Sequence, residues 1–278
     1  MPDPTGNWDV SIRPAGWWPG VGLRDVWAHR DLLYFLVRRD LTVRYKQTVL
    51  GVAWIVLQPV LTMAVFAVFF GRVVNVPSDG IPYPLFAYSG LLPWMFFSRA
   101  VTQATASLVS SSNLITKVSF PRLVIPTATV LVCLVDLAVM CVVLIPLLFA
   151  YGVPVLTWHM LLLAPALALA VVVTLGISFW LSSLNVKYRD VASIISLGLQ
   201  LGMLATPVIY PFSMVPERWR PWLALNPLVG VTNATRSALF SLPLDAASVE
   251  TSVLVSLLLL VSGVIAFRHL ETNFADVV

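Results

Sequence analysis

Side chains able to do chemistry are few in this sequence, and their spacing builds no reaction centre. His29, His159 and His269 stand apart, without an HExxH or paired arrangement, so no metal site is expected. Cys133 and Cys141 share one apolar run, where a helix separates them by about 12 Å, too far for a disulfide. Both read as small buried hydrophobes. A transferase needs Asp, Glu or His gathered at one face to bind metal or move protons, and Glu217 and Asp245 are too sparse for that. No G-x-x-x-x-G-K-[ST] motif occurs, so an ATP-driven process would need its motor on another polypeptide.

What remains is charge in costly places. Arg99 and Asp136 each fall inside an apolar run and should face protein, water or one another. A structural ion pair is the default expectation. The alternatives are an Arg99 contact with a passing anionic cargo and an Asp136 that carries protons. The other notable charge is the stretch RRDLTVRYKQTVLG, residues 38–51, which runs straight into VAWIVLQPVLTMAVFAVFF. Asp40 and Arg44 are spaced to pair on a helix. Read alone, such a boundary anchors a chain to anionic lipid headgroups.

The elements that hold these residues follow from composition. The 278 residues are 59% hydrophobic and only 11% charged, whereas soluble domains run near 45–50% apolar and about 25% charged. This predicts an all-α integral membrane protein. Residues 1–22 form a Pro/Gly-rich lead-in without a signal-peptide core, and 23–48 an amphipathic helix lying at the membrane surface. A transmembrane domain over 49–278 is expected to contain six helices, at 49–70, 85–108, 123–151, 160–184, 193–210 and 249–267. Pro146 is expected to shorten the third or let it tilt. The long fifth connection, about 211–241, is half apolar and broken by Pro216, Pro221 and Pro227. It predicts short re-entrant or interfacial helices, one capped by Asn226 with Pro227 in its first turn.

The cations set the orientation. Arg13, Arg24, Arg30, Arg38, Arg39, Arg44, Lys46, Lys117, Arg122, Lys187, Arg189 and Arg268 fall on one side, against Arg72, Arg218, Arg220 and Arg236 on the other. Both termini are therefore expected in the cytoplasm. No basic face with interleaved polar residues suggests a nucleic-acid partner.

RDLTVRYKQTVLGVAWIVLQP (39–59) resembles the signature stretch of the membrane subunits of ATP-binding-cassette polysaccharide exporters. NLITKVSFPRLVIP (113–126), LNVKYRDV (184–191), TPVIYPFSMVP (206–216) and LNPL (225–228) follow in the family's order. The resemblance covers nearly everything after Leu23. It implies a permease in the bacterial plasma membrane, a homodimer served by two nucleotide-binding ATPase subunits, and a lipid-linked polysaccharide as cargo. ATP and Mg would then sit on the partner, with no cofactor on this chain. By that resemblance Arg38, Arg39, Asp40, Arg44, Tyr45 and Lys46 belong to an ATPase-facing interface helix. Asn113, Lys117, Phe120, Pro121 and Arg122 fall at a cytoplasmic coupling helix.

The family also lines its channel with the first and fifth spans. Trp54, Gln58, Thr62 and Phe69 lie near one face of the first, and Ser193, Ser196, Gln200 and Met203 near one face of the fifth. Aromatic faces and amides suit sugar rings, although interhelical hydrogen bonding explains the polar members equally well. The Gly198–Gly202 pair reads as close packing. A competing class is an ion-coupled secondary transporter or lipid flippase needing no ATPase. Asp136 is its support, and the lack of a visible internal repeat weighs against it.

Overall fold

The computed structural model describes residues 19–46, 51–118, 120–155, 157–188 and 190–271. Most of the predicted lead-in, the step at 47–50 into the first span, and Arg13 and Arg189 lie outside the described residues. The described chain is helical, with no strand. The surface helix predicted as one piece is two, α1 (Pro19–Ala28) and α2 (Arg30–Lys46), broken at His29. Then come α3 (Gly51–Phe66), α4 (Tyr83–Ser110), the short α5 (Ser112–Lys117), α6 (Val124–Ala150), α7 (Leu163–Lys187) and α8 (Val191–Leu204). The last elements are α9 (Arg220–Ala224), α10 (Pro227–Phe240) and α11 (Ala246–Glu271).

Among the described residues, four helical stretches are long and apolar enough to cross a membrane: Ala53–Val73, Val124–Ala150, Trp158–Lys187 and Ala246–Glu271. α4 has the length, at 28 residues, but its C-terminal half is rich in Ser, Thr, Gln and Arg. The predicted fifth span ends early. α8 has 14 residues and stops at Leu204, a rise of about 21 Å against a hydrocarbon core of about 30 Å. From Ala205 to Tyr210 the chain turns instead of continuing as helix.

Proline does not end these helices. Pro59, Pro93 and Pro146 all lie within helices, and α6 runs past Pro146 to Ala150. Each leaves the carbonyl four residues earlier without its helical donor, a cost these helices absorb. α6 then stops on Gly152, whose positive φ of 69° lets Val153 N–H return to the Leu148 carbonyl at 3.0 Å. α3 continues beyond Phe66 as a π-helical segment, Ala67–Val73.

The Asn226 side chain accepts from Leu228 N–H at 3.1 Å with Pro227 in the first turn, as predicted. α10 is buried along nearly its whole length, so it plunges into the bundle and does not rest at a headgroup surface. Arg236, counted among the cations of the outer side, goes in with it and is only 5% exposed. Gly90 makes room: a Cβ there would lie 2.9 Å from Arg236 Nη2 and 3.0 Å from the Val208 backbone.

Small residues bring α7, α10 and α11 together. A Cβ at Gly263 would meet the Gly176 carbonyl oxygen at 2.5 Å, and Gly230 lies against Ser252, whose Oγ accepts its N–H at 3.1 Å. In lipid, where no hydrophobic force joins helices, such contact is what dispersion needs. At the other end, Arg268 pairs with Asp25 of α1 at 2.5 Å, and the Glu271 carbonyl accepts from Arg122 Nη1 at 2.6 Å. α11 is thereby tied to the segments around α1 and α5. The GxxxG reading of α8 fails on its first residue, since Gly198 has nothing within 4 Å of a Cβ position. Thermal unfolding of the purified protein should separate the two kinds of glycine. Gly263→Leu is expected to cost about 1–3 kcal/mol or more by overpacking, while Gly198→Ala should cause no loss.

Candidate functional site

The buried carboxylate of Asp136 draws four helices together. It lies midway along α6, 3% exposed, one turn from Cys133. Arg99 and Gln103 are four residues apart on α4 and therefore share the face turned to α6. Arg99 Nη1 reaches Asp136 Oδ2 at 3.0 Å, so the default ion pair is present. The same oxygen takes Arg44 Nη1 at 3.0 Å, and Oδ1 accepts from the Tyr45 hydroxyl at 2.8 Å. Each guanidinium is held a second time: Arg99 Nη2 donates to Gln58 Oε1 of α3 at 2.5 Å, and Arg44 Nη2 to Gln103 Oε1.

This differs from the local pairing predicted for α2. Asp40 pairs with Arg39 at 2.8 Å instead, on a solvent-facing surface where such a bridge contributes little. Arg44 is left to reach inward. The reason is the higher return on a buried charge: an Asp136 without partners would cost far more than an exposed Asp40. Burial, and next the hydrogen bond to Asp136, push the Tyr45 phenol from its ordinary 10 up to about 12. Because the folded value is raised, this tether is complete below pH 10 and is lost as pH rises through 12. It is therefore intact at neutral pH.

Leu36 packs into the core with Leu32, Leu33 and Val37 beside it, and the opposite face of α2 turns outward. Arg38, Arg39 and Lys46 are exposed, and so are Tyr34 and Phe35, at 67% and 62%. The sequence gives no local signal that singles out those two aromatics. A cleft of about 440 Å³ separates α2 from α4, α5 and the start of α6, with Arg39, Asp40, Ser107, Ser110 and Thr129 among its walls. On α5, Asn113 and Lys117 are exposed while Ile115 is buried beneath them. Phe120 packs into the same lower core, with Pro121 half-buried beside it. Arg122 braces α11 through Glu271, to which its backbone N–H also donates, at 3.2 Å.

The structure divides the predicted channel residues. Trp54 and Phe69 are exposed on α3, and Ser193, Ser196 and Gln200 on α8. Gln58 turns its amide oxygen to Arg99, the Thr62 hydroxyl bonds back to the Gln58 carbonyl at 2.9 Å, and Met203 packs against the core. Around the exposed members lie Leu57, Leu61 and Val65 of α3 and Leu197, Leu201 and Leu204 of α8, all exposed. These two helices thus present broad apolar faces that none of the described residues covers.

Comparison with known proteins adds the family. The profile described as ABC-2 type transporter matches residues 31–240. The chain is 33% identical over 261 residues to an O-antigen export system permease protein of Myxococcus xanthus, covering 91% of this chain and 98% of that one. It is 32% identical over 251 residues to a protein of the same description from Klebsiella pneumoniae, covering 89% and 95%. A polysialic acid transport protein of Escherichia coli is 21% identical over 204 residues, 73% and 79% of the two chains.

The pairing around Asp136 makes a specific demand on mutants. Asp136→Asn leaves two guanidinium groups without their carboxylate and is expected to cost about 3–5 kcal/mol. Asp136→Leu combined with Arg44→Met and Arg99→Met removes the carboxylate together with both guanidinium groups and should recover most of that loss. Melting of the purified variants checks both.

Proposed function

This chain belongs to the ABC-2 type transporter family, and on that premise we propose that it is the permease of an ATP-driven polysaccharide exporter. The names of its relatives support glycan export as the class of work. The finer reading is a homodimer in the bacterial plasma membrane, each copy crossing six times with both termini inside. It passes a polyprenyl-pyrophosphate-linked polysaccharide outward and performs no covalent chemistry. ATP and Mg belong to a separate nucleotide-binding subunit, two per permease dimer. α4 and α8, with the turns after α8, make up the crossings that hydropathy alone does not supply.

One observation carries the reading. α2 offers exposed cations and aromatics on one face and through Arg44 and Tyr45 holds the carboxylate shared with α4 and, through Arg99 and Gln58, with α3. A soluble subunit pressing on α2 and α5 would therefore move three membrane helices as one body, which is how a motor's closure becomes motion in spans. The bare faces of α3 and α8 suit a two-fold pore, because apolar surface on both helices would be buried between copies while Trp54, Phe69 and Gln200 meet the path. Tyr34, Phe35, Arg38, Lys46, Asn113 and Lys117 form the docking surface. Arg44, Tyr45 and Arg122 act behind it as braces.

Reconstitution in lipid vesicles tests the whole. Movement of a labelled lipid-linked glycan should require both the ATPase subunit and ATP. Transport by this chain alone on a pH gradient would show an ion-coupled carrier instead. Arg38→Glu with Lys117→Glu should lower the affinity for the ATPase about tenfold or more, as reversed charges do at an interface. Unchanged co-purification would remove those two residues from the docking surface.

A further inference from the structure

The end of the bundle opposite α2 and α5 contains a cavity of about 770 Å³, between the loop after α3, the segment leading into α9, α10 and the first turns of α11. Its volume falls within the range of about 300–1,000 Å³ usual for small-molecule sites. Asp79, Arg220, Asn233, Arg236, Asp245 and Thr251 supply polar wall, and Phe212, Leu242 and Pro243 supply apolar wall. None of these residues takes part in the Asp136 cluster.

Arg236 is the unusual member. Its guanidinium stacks 3.7 Å from the centre of the Phe86 ring, and Nη2 donates to the Val208 carbonyl at 3.0 Å and to that of Phe86 at 3.4 Å. Nε and Nη1 have no hydrogen-bond partner among the described residues, and the group forms no ion pair there. Leaving two charged donors idle in a buried site is expensive. Arg220 is better served, donating to the Val215 and Ser213 carbonyls, and the Ser213 hydroxyl in turn donates to Asp79 Oδ1 at 2.8 Å.

The charge balance selects the ligand. Two guanidiniums and two carboxylates face the same space. An anion would be drawn by the arginines and repelled by Asp79 and Asp245, and a cation would meet the reverse. A neutral ligand rich in hydroxyls meets neither difficulty, since each hydroxyl donates once and accepts twice. It can donate hydrogen bonds to carboxylates and accept them from guanidiniums within one site. The apolar wall formed by Phe212, Leu242 and Pro243 suits the C–H faces of a ring that carries those hydroxyls.

We propose that this cavity is a carbohydrate-binding site that engages one or a few sugar rings at the outer end of the bundle. The inference rests on the export reading for its outward orientation and for the presence of glycan there; its chemistry rests on the cavity alone. In an exporter, the site would hold sugar that has already crossed and oppose its return.

Saturation-transfer NMR on the full chain in phosphatidylcholine nanodiscs tests this, with methyl glycosides of glucose, galactose, mannose and rhamnose as probes and inorganic phosphate as competitor. Saturation should pass to at least one glycoside and persist when phosphate is added. Arg236 variants risk losing the fold, so rim variants carry the comparison. Asp245→Asn and Asn233→Ala should each weaken binding about tenfold, the cost of one lost hydrogen bond to a charged or amide group. No transfer to any glycoside, displacement by phosphate, or unchanged binding in both variants overturns the proposal. Export plays no part in this readout, so binding without ATP-driven transport would leave the site standing and count against the export reading only.

Discussion

A single carboxylate that cannot reach water constrains the lower half of this protein. Asp136 is buried among apolar side chains of α6, where an ionised group is tolerable only if its partners come to it. They come from three other helices: Arg44 and Tyr45 from α2, Arg99 from α4, and Gln58 of α3 through Arg99. Arg44 and Arg99 are each held by a second acceptor, Gln103 and Gln58, which fixes them where the carboxylate needs them. α2, whose own composition is too polar to hold it in a membrane, is kept against the spans by this requirement.

The same economy recurs where the chain is least regular. α10 enters the bundle because Arg236 finds the Val208 and Phe86 carbonyls and a ring face, with Gly90 clearing the space. α11 closes against α7 because Gly176 and Gly263 let backbone meet backbone, and its far end is tied by Arg268 to Asp25 and by Glu271 to Arg122. In each case apolar surface alone gives no direction, and a polar or glycine contact sets it.

How much of this could be read in advance depended on whether the signal was local. Hydropathy located the long spans, and the Asn226–Pro227 cap marked the start of α10, because both depend on neighbours in sequence. The early end of α8 had Pro207 as its local signal, but the apolar Val208 and Ile209 beyond it continue the pattern of a span. The Arg99–Asp136 pair followed from the cost of burying charge, yet the arrival of Arg44 did not. Asp40 stood four residues away, and only the docking of α2 across α6 shows that Arg44 does better elsewhere. Family resemblance implied an ATPase-facing role for Arg44, Tyr45 and Arg122; it did not foresee their contacts, which run inward to Asp136, Gln103 and Glu271. Nothing local marks Tyr34 and Phe35 as outward-facing; their exposure follows from which face of α2 docks on the bundle.

The central claim is that the Asp136 cluster transmits force from α2 to α3, α4 and α6, beyond fixing where α2 sits. The direct measurement is the ratio of glycan exported to ATP hydrolysed, in vesicles containing the ATPase subunit and a permease whose cluster is replaced by apolar residues. If the cluster transmits, the altered permease should still bind its ATPase and support hydrolysis while the ratio falls well below that of the unaltered protein. An unchanged ratio would contradict the account and reduce Asp136 to a structural tie.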